Sequence, residues 1–222
     1  MCVFISCVCR NCVFLLGNAW VGKKGGGRKR KEDAARVKET HSLHLLPSVQ
    51  VHQETEILSW VGEFTGLECL CLGAGLDHGV GSESNVRITE LPTALGKLLA
   101  LRWLPISNFA NLSDLQASLE LLYNLTSLSL DELPLLIRLP GVVCALPDLL
   151  QLTLNWTELT SLPNAMRHLT QLTTLELLNL PQLTSLPEGM TTLCALKVMR
   201  VCDCGHLDVN SSTMPSGDPK TS

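Results

Sequence analysis

One register of leucines constrains this chain more than any other feature. The frame L-x-x-L-x-L, or a close variant, starts at Leu67, Leu101, Leu125, Leu149, Leu172 and Leu196, with spacings of 34, 24, 24, 23 and 24 residues. Of the 46 leucines in 222 residues, 31 fall between Leu101 and Leu196, so that stretch is about one-third leucine. Such bias signals a repeat, a coiled coil or a membrane span. A span needs roughly 18 or more uninterrupted apolar residues, and none occurs there. The recurring Leu-Pro pairs break any long helix. A repeat remains.

Each unit has two halves with different periods. The frames Leu125-Leu128-Leu130, Leu149-Leu152-Leu154 and Leu172-Leu175-Leu177 end in alternation of apolar and exposed positions, the period of a short strand. About ten residues later the pattern becomes L-x-x-L-P-x-x-φ-x-x-L, where φ is apolar. It reads Ile88, Leu91-Pro92, Leu95, Leu98; then Leu136, Leu139-Pro140, Val143, Leu146. The next units give Leu159, Leu162-Pro163, Met166, Leu169 and Leu183, Leu186-Pro187, Met190, Leu193. Apolar positions every three residues, with Pro near the first turn where its missing N–H costs nothing, predict a short helical or 3₁₀ segment. A strand plus a helical turn in 23 or 24 residues is one coil of a solenoid. A single coil cannot cover its own leucines, so each buries them against its neighbours.

On these motifs the chain resembles leucine-rich-repeat proteins, above all the repeats of plant disease-resistance (nucleotide-binding leucine-rich-repeat) receptors and of Ras-group leucine-rich-repeat scaffolds. The last unit, Leu196-x-x-Met199-x-Val201-x-x-Cys204-x-x-Leu207, is close to the C-x-x-L variant of the plant receptors. The resemblance covers about residues 57 to 207. It implies an α/β solenoid: a horseshoe with a short parallel sheet on the concave face and 3₁₀ or short helical turns on the convex face. The chain departs from the family at position nine of the unit, where an Asn, Cys or Thr ordinarily bonds backbone between coils. Here that position holds Gly75, Phe109, Leu133, Thr157, Leu180 and Cys204, so only two units comply. The first unit also carries a Gly- and Ser-rich excess around Gly73 to Asn85.

The resemblance further implies that positions three, five and seven point into the concave surface. They hold mostly small polar residues, among them Ser107, Ser127, Ser129, Asp131, Gln151, Thr153, Asn155 and Thr174. Trp103, Glu176 and Arg200 are the anchors expected on this face, with Trp156 at position eight, because Trp and Arg are enriched at binding hot spots. Most of the remaining positions are expected to be solvated strand residues. A protein is the natural ligand of an extended solenoid face. Arg200 is the only cation in these rows, which argues against a nucleic-acid surface.

Charge divides the chain. Residues 1 to 38 carry nine basic groups against Glu32 and Asp33, a net of +7, whereas residues 39 to 222 carry 19 acidic and eight basic groups, a net of −11. The two sum to the overall −4. The expected organisation is a disordered or targeting leader over 1–40, apolar and Cys-rich then basic; a degenerate N-terminal repeat over 41–66; the solenoid over 67–207; and a disordered tail over 208–222. The leader admits several readings: an unstructured arm, a membrane anchor through residues 1–31, or a nuclear or nucleic-acid address in Arg28-Lys29-Arg30-Lys31.

Chemistry finds little support. Gly17 to Lys24 spells G-x-x-x-x-G-K-K, one residue from a phosphate-binding loop, but Lys24 replaces the hydroxyl that binds Mg²⁺ and Gly25-Gly26-Gly27 opposes the helix that must follow. Among the ten cysteines, Cys69/Cys71 and Cys202/Cys204 form C-x-C pairs without the spacing of a zinc knuckle, and free thiols in a reducing compartment are expected. The six histidines converge with no nucleophile or acid beyond the lone spacing His41-x-x-His44. Four N-x-S/T triplets, at Asn111, Asn124, Asn155 and Asn210, matter only in a secreted chain. The sequence therefore predicts a non-catalytic protein-interaction module with no cofactor and no metal, in the cytoplasm, with membrane or nuclear placement as alternatives. A fragment of a nucleotide-dependent immune switch, or an adaptor tethered through the basic leader, are the competing readings.

Overall fold

The computed structural model describes residues 13–16, 42–46, 62, 65–73, 88–91 and 93–208. The phosphate-loop-like Gly17 to Lys24, the basic run, the Gly- and Ser-rich excess after Gly73 and the residues beyond 208 lie outside them.

Leucines at positions one, four and six of each unit turn inward, and the backbone between them forms one parallel strand per coil. The strands are β1 (Val13–Leu16), β2 (Ser42–Leu46), β3 (Cys69–Gly73), β4 (Trp103–Ser107), β5 (Ser127–Leu133), β6 (Gln151–Thr157), β7 (Thr174–Leu178) and β8 (Val198–Cys202). They lie in a single sheet in sequence order, each parallel to the next. The register follows the repeat: Leu104, Leu128, Leu152, Leu175 and Met199 are aligned across five strands. All five are buried. Position two reinforces the stack. The N–H groups of Thr126, Leu150, Thr173 and Lys197 each donate to the position-two carbonyl of the preceding coil at 2.8 Å, and Thr126 and Thr173 add a hydroxyl bond to the same carbonyl at 2.9 Å.

The opposite side of four coils is a 3₁₀ turn, as the triplet period predicts. Four such turns span Thr93–Lys97, Gly141–Ala145, Asn164–His168 and Glu188–Thr192. The unit that begins at Leu101, whose second half lacks the Leu-Pro pair, has a short α-helix instead, Gln116–Leu119. Pro140, Pro163 and Pro187 each stand immediately before a turn, with φ between −59 and −72°. Each offers its carbonyl to the first turn: Val143 N–H donates to Pro140 at 3.1 Å, Met166 to Pro163 at 3.0 Å and Met190 to Pro187 at 3.0 Å. Proline supplies the required φ there and loses no bond.

The core is the stack of leucines between sheet and turns, one continuous cluster from Leu67 to Met199. It thins at the last coil. Leu196, Val201 and Leu207 are only partly buried, whereas their counterparts Leu172, Leu177 and Leu183 are fully covered.

Position nine carries a correction. Phe109, Leu133 and Leu180 there are fully buried core residues. Of the two polar residues that match the family pattern, Cys204 donates its thiol to the Leu177 carbonyl of the preceding coil at 3.5 Å. Thr157 does not follow the pattern: its hydroxyl is buried with no hydrogen-bond partner. The reason is local, since β5 and β6 extend their pairing this far and set Leu133 beside Thr157 in an apolar row.

Candidate protein-binding face and flanking groove

The sheet register turns the expected face into three rows. Position three aligns Trp103, Ser127, Gln151, Thr174 and Val198; position five aligns Pro105, Ser129, Thr153, Glu176 and Arg200. Position seven aligns Ser107, Asp131, Asn155, Leu178 and Cys202. Every residue expected on the concave surface stands in one of these rows except Trp156. Alternation along each strand buries the neighbours at positions four and six and leaves these side chains on the other face.

Two polar ladders tie the rows across coils. Glu176 accepts from Thr153 Oγ1 at 3.1 Å and from Arg200 Nη1 at 3.1 Å, so one carboxylate links three consecutive strands. Arg200 is therefore engaged with Glu176 in an ion pair. The second ladder runs from Asn179 Nδ2 to Asn155 Oδ1 at 2.9 Å and from Asn155 Nδ2 to Asp131 Oδ1 at 2.7 Å. Burial, and next the charge of Glu132, raise the pKa of the Asp131 carboxyl above its ordinary value, against the lowering effect of the Asn155 bond. Ser127 Oγ reaches Gln151 Oε1 at 3.4 Å. Ser129 is the exception on the face: flanked in its row by Pro105 and Thr153, its hydroxyl is buried and without a partner.

Position eight adds a feature absent from the sequence reading. Asn108, Glu132, Trp156, Asn179 and Asp203, each at position eight, all adopt a left-handed backbone, with φ between 48 and 60°. Asn and Asp tolerate that conformation, but Trp and Glu do so only at a cost of about 1–2 kcal/mol. The left-handed turn swings Trp156 off the concave rows, where its side chain is 58% exposed. Beside it, positions eight and ten of four consecutive coils enclose an open groove of about 460 Å³ across the C-terminal ends of β4 to β7. Position ten brings Pro134, Glu158 and Pro181 to this groove. The recurrence of Asn and Asp at position eight was the one signal of it in the sequence.

The thiols show no convergence. Cys69 Sγ and Cys71 Sγ lie 4.0 Å apart, Cys194 is exposed, and burial pushes the Cys144 thiol up to about 11. Among the described residues no group of three His, Cys, Asp or Glu side chains is placed to hold a metal ion. Among the same residues no helix is long and apolar enough to cross a membrane.

No family model and no curated protein matches the sequence. Solved structures do match in shape. A plant peptide hormone receptor, RGFR1, in complex with RGF2 superposes with a TM-score of 0.50 at 18% identity, over 79% of this chain and 28% of the receptor chain. Internalin C2 of Listeria monocytogenes gives 0.53 at 16% identity, over 79% of this chain and 67% of that one. TLR13, in a complex with ssRNA13, gives 0.50 at 16% identity, over 76% of this chain and 26% of that one. The chain thus spans little more than a quarter of RGFR1 and of TLR13. All three are leucine-rich-repeat proteins. With the leucine register, the parallel sheet and the 3₁₀ turns, these likenesses identify the chain as a leucine-rich-repeat solenoid.

Proposed function

We propose that the chain is a non-catalytic interaction module that binds a protein partner on the concave face of its sheet, in defence recognition or signalling of the plant-receptor type. The observation that carries the reading is the three-row surface itself, continuous over five strands and mostly of small or polar side chains, with Thr153, Glu176 and Arg200 and with Asp131 and Asn155 tied to one another across coils. Such a surface is preorganised, so a partner loses little free energy in ordering it. RGFR1, similar in fold, is a peptide hormone receptor and was solved with RGF2, which supports a polypeptide ligand. A nucleic-acid ligand is disfavoured because Arg200 is the one cation in the rows and is paired with Glu176. The reading carries a cytoplasmic location.

A pull-down from the native cell extract tests the proposal, comparing the parent with Trp103→Ala, Glu176→Ala and Arg200→Ala. Loss of a specific partner in at least one variant of unchanged melting temperature is expected. Partners captured equally by all four proteins would refute the concave site.

A further inference from the structure

We propose that the groove of positions eight and ten is a second binding site, distinct from the concave rows, and that it takes an extended cationic segment of a partner protein, with an arginine or lysine seated on Trp156. This goes beyond the concave-face reading and stands on separate residues.

The groove is made by the repeat rather than by accident of one loop. Four successive coils supply the same two positions, and stacked coils lie about 4.8 Å apart, so the groove runs about 14 Å along the solenoid. An extended peptide rises about 3.3 Å per residue, so four or five residues cover it, with every second side chain turned inward. Its shape is open and elongated, which suits a polypeptide strand better than a compact small molecule.

The lining selects the charge. Trp156 presents its indole to solvent from a left-handed backbone, a conformation that ordinary side chains avoid. Glu132, one coil before it, and Glu158, two residues after it, reach the same groove, and neither forms an ion pair among the described residues. The negative field of Glu132 is felt next door, where it helps hold the Asp131 carboxyl high. An indole face flanked by carboxylates is the arrangement that attracts a guanidinium or ammonium, by cation–π attraction and by charge pairing together. The rings of Pro134 and Pro181 complete the lining with apolar surface for the aliphatic stems of those side chains. The same carboxylates repel phosphates, which sets the site against nucleic acid and anionic lipid.

The test uses the full chain labelled with fluorotryptophan and a blocked decapeptide of alternating arginine and serine, with a citrulline-for-arginine peptide as the neutral comparator. Fluorine NMR resolves the four tryptophans, and the Trp156 signal is the one missing from Trp156→Phe. The arginine peptide is expected to bind saturably and to move that signal first. The neutral peptide should bind about tenfold more weakly or worse, as should the arginine peptide to Trp156→Ala and to the doubly substituted Glu132→Gln/Glu158→Gln protein. Glu132 is exposed and Glu158 is half-buried, and the Gln side chain keeps the shape of Glu at both places, so this replacement keeps the fold and the test stands even where Trp156→Ala does not. Equal binding of the two peptides, absence of saturation at millimolar peptide, or unchanged affinity in the Glu132→Gln/Glu158→Gln protein would overturn the proposal. Loss of binding in Trp103→Ala would also overturn it, because it would put the peptide on the concave rows while leaving the concave-face reading intact.

Discussion

Replacing the same frame position in two different coils measures how the solenoid is held together. Leu177 and Val201 occupy position six of adjacent units and are paired in register. Leu177 is fully buried between coils, and Val201, in the last coil, is half-buried. Leu177→Ala removes three fully covered carbon groups, about 2.4 kcal/mol at about 0.8 kcal/mol each. The cavity left between two rigid coils adds to this, so the expected loss is about 2.5–5 kcal/mol. Val201→Ala removes two half-covered groups, about 0.8 kcal/mol, with little cavity because one side is already open. Urea unfolding followed by far-ultraviolet circular dichroism reads both, with the slope required to stay constant so that the midpoint reports stability. The difference between the variants, about 2 kcal/mol or more, is the prediction. Equal losses, or a loss below about 1 kcal/mol for Leu177→Ala, would refute a stability built from interfaces between coils.

Three further outcomes follow from particular side chains. Thr157→Val deletes a buried hydroxyl with no partner in an apolar row and should raise stability by about 1 kcal/mol in the same urea assay. Glu132→Asn suits the left-handed backbone at position eight and removes the charge beside Asp131, and should stabilise by about 0.5–1 kcal/mol. The Asp131 carboxyl has a raised pKa in the folded state, so the fold binds its proton more tightly than the unfolded chain, and stability contributed here falls as pH rises from the ordinary Asp value of 3.8 through the folded value. Asp131→Asn, which keeps an acceptor for Asn155, should therefore be more stable than the parent at neutral pH. That advantage should disappear below pH 3.8, as read by thermal melts across the acid range.

The leucine register was legible because burial between coils leaves no freedom: each of Leu128, Leu152 and Leu175 must face inward for the stack to close. The Leu-Pro pairs were legible for a related reason, since a fixed φ and a missing N–H suit only the entry of the turn. What the sequence concealed lies where two effects compete. Trp156 and Glu132 disfavour a left-handed backbone, so nothing in them announces the turn that Asn108, Asn179 and Asp203 accept. Thr157 looked like a backbone-bonding residue, but the longer pairing of β5 with β6 and its apolar neighbours leave the hydroxyl idle. Ser129 belonged to an outward row, yet its small side chain is overshadowed by Pro105 and Thr153. The groove escaped notice because its two rows lie eight and ten residues into a unit, beyond the L-x-x-L-x-L frame.

Site-specific photocrosslinking in the native cell tests whether a protein partner binds the concave rows. A benzoylphenylalanine placed at Gln151 or Thr174, on the sheet, should give a discrete crosslinked protein. The same group at His168 or Thr192, exposed on the 3₁₀ turns, should give none. Adducts that form from the turns and not from the sheet would show that the concave rows are not where the partner binds.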